Sequence, residues 1–233
     1  MRATVAVIVL VLLAAASPHA ILAQTPAAET GCGGPATPAA SATPVSTTEW
    51  KPLELDSGPV RLWPGGDRGV LLLQGASYDA GSWIPQVAAL EAEGYTVLAP
   101  EFPSPAVVLD AIAFLTGACG VTGVTVIGAS AGGSTALEGL AADPEGVAGL
   151  ILLGAIGDVA DLGDYPKLFT ASEGESLVDR VEVMTAEAPG DRNDTLILPG
   201  SAHAQATFDT DQGEALLDAM LSFLKDTAEW DAE

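Results

Sequence analysis

Between Val124 and Leu137 a short apolar run, Val124-Thr-Val-Ile127, breaks into Gly128-Ala-Ser130-Ala-Gly132 and then into an alanine-rich stretch of helical character. A serine hydroxyl is a weak nucleophile unless the backbone holds it clear of the sheet, within reach of a base, and small residues on both flanks permit a strand-to-helix turn that sharp. The pattern therefore reads as a nucleophile elbow with Ser130 at its tip. The base it needs is available. Of 2 histidines in the chain, His19 lies in an apolar N-terminal stretch and His203 follows a late apolar run in Pro199-Gly-Ser-Ala-His203. His203 is the candidate to take the Ser130 proton as the hydroxyl attacks an acyl carbonyl, and to return it to the leaving group.

In a chain with 26 glycines a G-x-S-x-G pentapeptide arises by chance often enough that its surroundings carry the weight. Those surroundings are a buried strand before it, a helix after it, a histidine downstream and acidic residues between. A glycine-rich loop that opens a helix also cradles phosphate, but the lysine of a phosphate loop is missing.

Composition narrows the remaining classes. A chain of 233 residues with 48% hydrophobic and 17% charged content can bury the core of one ordinary domain. With 8 basic against 31 acidic residues the net charge is −23, which opposes nucleic acid phosphates and anionic lipid, so no nucleic acid partner is expected. Neither cysteine has metal-ligand neighbours and no Cys/His cluster occurs, so no metal site is expected.

The N-terminus carries Arg2, an apolar run from Val5 to Ala16, and the small residues of Ser17 to Ala23. That order is a secretory signal peptide over 1–24, too short in its apolar core for a membrane span. The chain is expected to be exported, to the cell envelope or beyond, without stable membrane insertion after cleavage; an uncleaved anchor is the alternative. Thr25 to Thr48 is Ala, Pro, Thr, Gly and Ser with almost no large apolar residue, and reads as a disordered linker. Cys32 fits a lipid-attachment motif poorly, because acidic Glu29 stands three residues before it. With Cys32 in this tail and Cys119 in the folded part, pairing of the two is not the expectation.

The folded domain is expected over 49–233. Strands are expected at Pro59–Trp63, Gly69–Gln74, Tyr95–Ala99, Val124–Ile127, Val147–Leu153, Lys167–Ala171 and Thr195–Leu198. Helices are expected at Trp83–Glu93, Ala106–Leu115, Ser134–Ala142, Leu177–Ala186 and Gln212–Lys225. Strands that alternate with helices and are apolar on both faces imply an α/β fold: a mostly parallel twisted sheet with helices on both faces.

From residue 50 to 227 these features resemble the α/β-hydrolase fold, and in particular its small lidless members related to dienelactone hydrolases and carboxylesterases. The resemblance rests on the elbow at Ser130, the loop Gln74-Gly-Ala-Ser-Tyr78 after an early buried strand, and Pro199–His203 after the last strand. It implies a triad in the chain order serine, acid, histidine. The family places the acid just past the strand before the histidine strand, where Glu175 stands, with Glu173 two residues earlier; Asp158, after the preceding strand, is the other candidate. It also implies an oxyanion hole of two backbone amides, Ala131 beside the nucleophile and Ala76 on the early loop. Many relatives have His-Gly where this chain has Gln74-Gly75, which removes the histidine that usually braces that loop.

Few residues separate Leu153 from Lys167, so no large lid is expected, and an open cleft suits small esters. Tyr78, Trp83 and Phe102 are candidates for its apolar wall, or for ordinary core packing. The resulting expectation is an exported serine hydrolase acting on small-molecule esters or related acyl compounds without a cofactor. The rival from another class is a non-catalytic envelope binding protein that keeps the fold. Nothing in the pattern marks an oligomeric state, and thioesterase, peptidase and acyltransferase would use the same machinery.

Overall fold

The computed structural model describes Cys32 and residues 49–230. The signal-peptide and linker expectations, Cys32 apart, lie outside the described residues. The strands are β1 (Lys51–Leu55), β2 (Gly58–Trp63), β3 (Gly69–Leu73), β4 (Thr96–Pro100), β5 (Val124–Ala129), β6 (Val147–Leu153), β7 (Lys167–Ser172) and β8 (Asn193–Leu198). The helices are α1 (Ile84–Ala92), α2 (Pro105–Gly117), α3 (Ala131–Leu140), α4 (Val178–Glu187) and α5 (Gly213–Trp230), with short 3-10 turns at Ala80–Trp83 and Ala204–Asp209.

All eight strands form one sheet in the order β1-β2-β4-β3-β5-β6-β7-β8. The first two strands are antiparallel to each other, β2 runs antiparallel to β4, and every pairing from β4 to β8 is parallel. The central strands are buried along their whole length, as a sheet covered on both faces requires. Side chains alternate between two cores. Leu71 and Leu73 pack with Ile112, Leu137 and Met184 from α2, α3 and α4, whereas Val70 and Leu72 pack with Val87 and Met220 from α1 and α5.

The strand order reverses beside β3. Its outgoing chain turns one way, through α1 to β4, while the chain leaving neighbouring β5 turns the other way, through α3 to β6. In open α/β sheets the diverging loops of such a switch point leave a crevice at the carboxyl ends of the strands. The loop after β3 and Ser130 after β5 flank it.

Two expectations need correction, and one open alternative is decided. An edge strand, β1, precedes the strands read from the sequence; its mixed polar character and Pro52 suit an edge that pairs on one side only. Of the two alternatives for Trp83, core packing is the one the structure shows: it is fully buried and meets Phe208 edge-on, ring centroids 6.2 Å apart. Cys32 and Cys119 are joined in a disulfide that closes a sequence separation of 87 residues. Cys32 itself thus lies at the residues that follow α2, which a reading of Cys32 as free of the domain does not allow.

The amino end of β7 is pinned by a buried cation. Lys167 is fully buried, and its Nζ donates to the carbonyls of Gly163, Tyr165 and Pro189, each at 2.7 Å, matching the three N–H bonds of an ammonium. Burial outweighs the nearby Asp164 charge and lowers its pKa to about 8. Between that value and the 10.5 of an unperturbed lysine the unfolded chain holds more protons than the native one, so this group's contribution to stability rises with pH across that window. Lys167→Met is expected to cost about 2–4 kcal/mol by leaving buried carbonyls unpaired. Denaturant titrations at pH 7.5 and 10 should show the wild-type pH gain reduced in the variant; an unchanged gain would place its origin elsewhere.

Candidate active site

At the elbow, Ser130 adopts φ 48 and ψ −118, a conformation L side chains rarely occupy, and it stands immediately before the first residue of α3. Strain of this kind persists only where the surroundings over-determine it. Here the Ser130 N–H donates to the Leu153 carbonyl of β6 at 2.9 Å, and the Gly133 and Ser134 amides turn back onto the Ser130 carbonyl. Three glycines make the turn possible. A Cβ on Gly132 would collide with the carbonyl oxygens of Leu73 and Gln74, one on Gly133 with the Ala155 methyl, and one on Gly128 would lie 2.6 Å from the Gly133 Cα.

The hydroxyl meets a base held from the other side. His203 Nε2 is 2.7 Å from Ser130 Oγ, and His203 Nδ1 is 2.5 Å from Glu175 Oε1. With the proton on Nδ1 donated to the carboxylate, Nε2 presents a lone pair to the serine hydroxyl, the tautomer that proton abstraction requires. The Glu175 side chain is only 8% exposed, against 50% for His203, and its second oxygen accepts the Ser172 N–H at 2.7 Å. Of the three acid candidates the structure brings Glu175 to the histidine. Glu173 is exposed, and Asp158 is an exposed loop residue that accepts the Ala160 N–H. Asp158 lines a larger depression, about 520 Å³, beside α3 with Ser134 and Ile156; neither Ser130 nor His203 lines it.

The acid and histidine loops are laced together. The Glu173 N–H donates to the Leu198 carbonyl at 2.9 Å, the Gly174 N–H to the Gly200 carbonyl at 2.8 Å, and the Ser172 hydroxyl to the Ala202 carbonyl at 2.6 Å. Gly154, with φ 55, passes beneath the imidazole, where a Cβ would come within 3.1 Å of Nδ1.

Ala76 and Ala131 line one cleft of about 390 Å³ with Gly75, Tyr78, Phe102 and Thr135. Neither of these two amides has a hydrogen-bond acceptor among the described residues. Tyr78 is 37% exposed and Phe102 75%, so both expected wall residues other than Trp83 are at the cleft. Gln74 occupies the place of the bracing histidine: its Nε2 donates to the carbonyls of Pro100 (3.0 Å) and Glu101 (3.2 Å), tying the early loop to the end of β4. Among the described residues no group of His, Cys, Asp and Glu is arranged to hold a metal ion.

Residues 70–232 match the model of the alpha/beta hydrolase family. The chain belongs to that family. Solved structures similar to this alpha/beta hydrolase include an esterase of Pyrococcus furiosus (17% identity, TM-score 0.62, covering 83% of this chain and 96% of the other). A predicted CIB-like hydrolase from Thermoplasma acidophilum is 17% identical with a TM-score of 0.60, over 76% of this chain and 98% of the other. An esterase from Exiguobacterium antarcticum is 15% identical with a TM-score of 0.59, over 76% and 100%. No curated protein sequence matches the chain.

Sequence reasoning did not single out Ser172, Gly154 or Gln205. The first two support Glu175 and His203 from neighbouring strand ends. Gln205 is buried, although in the sequence it is a loop glutamine like any other. No local pattern marks such residues, because their partners lie on other strands.

Gly132→Ala tests the elbow alone. The methyl group must displace α3 from the backbone leaving β3, at an expected cost of about 1–3 kcal/mol. Denaturant unfolding should show this loss together with slower reaction of Ser130 with a phosphonate probe; an unperturbed variant would contradict the packing described.

Proposed function

We propose that this protein is an exported serine hydrolase that cleaves small carboxylic esters through an acyl-enzyme on Ser130. The observation that carries the proposal is the continuous hydrogen-bonded chain Ser130–His203–Glu175 beside a cleft lined by two unpaired amides. Ser130 Oγ attacks the acyl carbonyl while His203 Nε2 takes its proton. The negative charge on the carbonyl oxygen falls to the amides of Ala76 and Ala131, which need no reorganisation to meet it. Collapse expels the alkoxide, which leaves as the alcohol with the proton from His203. Water, deprotonated by the same nitrogen, then attacks the acyl-enzyme, and the released Ser130 recovers its proton. Glu175 holds the imidazole and stabilises its protonated form. The esterases among the similar solved structures support an ester substrate at the level of the fold.

The rival reading, a binding protein that keeps the fold, would gain if loss of the usual histidine left the early loop unbraced by Gln74. Its hydrogen bonds supply the bracing that the missing histidine would, so this departure no longer favours the rival. Export is supported by the N-terminal sequence and by the Cys32–Cys119 disulfide, since such bonds persist in oxidising compartments. No helix among the described residues is long and apolar enough to cross a membrane.

The cleft also points to a substrate charge. Asp79 and Glu101 are among its lining residues and no lysine or arginine is. Arg61 binds Glu101 at 2.6 and 3.2 Å, and its Nη1 also lies near Asp79 Oδ1, since a Cβ on Gly81 would come within 2.8 Å of the one and 3.1 Å of the other; a single guanidinium therefore faces two carboxylates, and the wall keeps a negative excess. Neutral or cationic esters fit this wall, and anionic ones are repelled by it and by the acidic surface.

Hydrolysis of p-nitrophenyl acetate tests the reaction. The wild type should turn it over, Ser130→Ala and His203→Ala should lower kcat by about four to six orders of magnitude, and Glu175→Ala by about three to four. Activity that survives Ser130→Ala would contradict the assignment. Matched acetyl and hemisuccinyl esters test the charge: kcat/KM should be about tenfold lower for the anionic ester at low salt, the gap narrowing as salt rises. Equal values would remove the charge argument.

A further inference from the structure

Ala204, between His203 and Gln205, has φ 51, a left-handed conformation unusual for a residue with a Cβ. Its effect is to send two neighbouring side chains to different partners: His203 to Ser130 and Glu175, Gln205 inward to the loop after β3. Gln205 is 4% exposed. Its Oε1 accepts the Gly75 N–H at 2.8 Å, and its Nε2 donates to Ser82 Oγ at 3.0 Å. The Ser82 hydroxyl passes the chain on to the Asp79 carbonyl at 2.6 Å, and the Tyr78 N–H closes a turn onto the Gly75 carbonyl at 3.0 Å. One side chain therefore grips both ends of the segment 75–82, while its own backbone lies two residues from the base.

Resting on the serine-hydrolase reading above, we infer that Gln205 is a positioning residue that holds the Ala76 amide in register with His203 and Ser130. The chemistry requires such a link. The proton acceptor is carried by the loop after β8 and one oxyanion donor by the loop after β3, two strands that are not neighbours in the sheet. An oxyanion donor works only within a few tenths of an ångström of its place. Gln74 ties the β3 loop to β4, on the side away from His203. Gln205 ties it to the histidine loop itself. The bond also consumes the Gly75 N–H, so the next amide, Ala76, is the one left for a substrate oxygen. Gly75 sits close between the two parts: a Cβ there would lie 3.5 Å from Ser130 Cβ and 3.7 Å from Gln205 Oε1.

The test compares Gln205→Met, Gln205→Glu and Ser82→Ala with wild type, using p-nitrophenyl acetate for kcat and KM and circular dichroism for folding. Methionine has nearly the same length and cannot hold the Gly75 amide, whereas a glutamate carboxylate accepts it. Gln205→Met should lower kcat about 10- to 100-fold with KM within twofold of wild type. Gln205→Glu should recover most of that loss, and Ser82→Ala, which removes only the outer grip, should lower kcat about threefold. Should Gln205→Met fail to fold, the other two still decide: Gln205→Glu must stay within tenfold of wild type, and Ser82→Ala must lose kcat and not affinity. An active wild type with a folded Gln205→Met of equal kcat, or losses confined to KM, overturns this inference alone. A wild type with no turnover overturns the hydrolase reading, and this inference with it.

Discussion

The site depends on one close approach, that of the first turn of α3 to the backbone leaving β3. Gly132 and Gly133 leave no room for a side chain there, and Gly128 leaves none on the strand beneath. That contact places Ser130 at the end of a central strand in a strained conformation, its amide held by β6. The strain is local and is offset by packing of the flanking elements, which contribute to both hydrophobic cores. A hydroxyl on a flexible loop would have to be ordered anew each time it met its partner; here folding holds Ser130 beside His203 beforehand.

Around that point the remaining groups arrive on separate strand ends, and the hydrogen bonds between loops matter as much as the groups. The acid and histidine loops, after adjacent parallel strands, are laced by three bonds, so the short Glu175–His203 contact is carried by backbone as well as side chains. The β3 loop lies across the switch point, where diverging connections leave an opening that the sheet cannot bridge by strand pairing. Side chains span it instead, Gln74 toward β4 and Gln205 toward the histidine. With only a loop between β6 and β7, the crevice stays open to solvent, and its apolar wall includes exposed aromatic residues.

Most of this was legible in the sequence where the physics is local. Fully apolar strands and a serine between glycines declare themselves within a dozen residues, and Ser130 and His203 lie just past β5 and β8 as that reading expects, whereas Ala76 and Ala131 entered only through the family resemblance. The family's loop spacing singles out Glu175, with Glu173 and Asp158 as alternatives, and the turn closed by the Glu175 amide onto the Ser172 carbonyl is what brings Glu175 to the imidazole. Trp83 was ambiguous for a related reason, since an aromatic residue near a substrate loop faces core or cleft according to a helix rotation that sequence does not encode locally. The Cys32–Cys119 pairing and Gln205 were not legible at all. Both are long-range contacts between segments whose own composition gives no sign of them.

The central claim is that folding alone activates Ser130. Incubating the purified domain with a fluorophosphonate and mapping the labelled peptide measures this directly, without assuming any natural substrate. One equivalent of label on Ser130, strongly slowed by His203→Ala, is the result this account predicts. A folded wild-type protein that takes no label, or takes it at another residue, would contradict it.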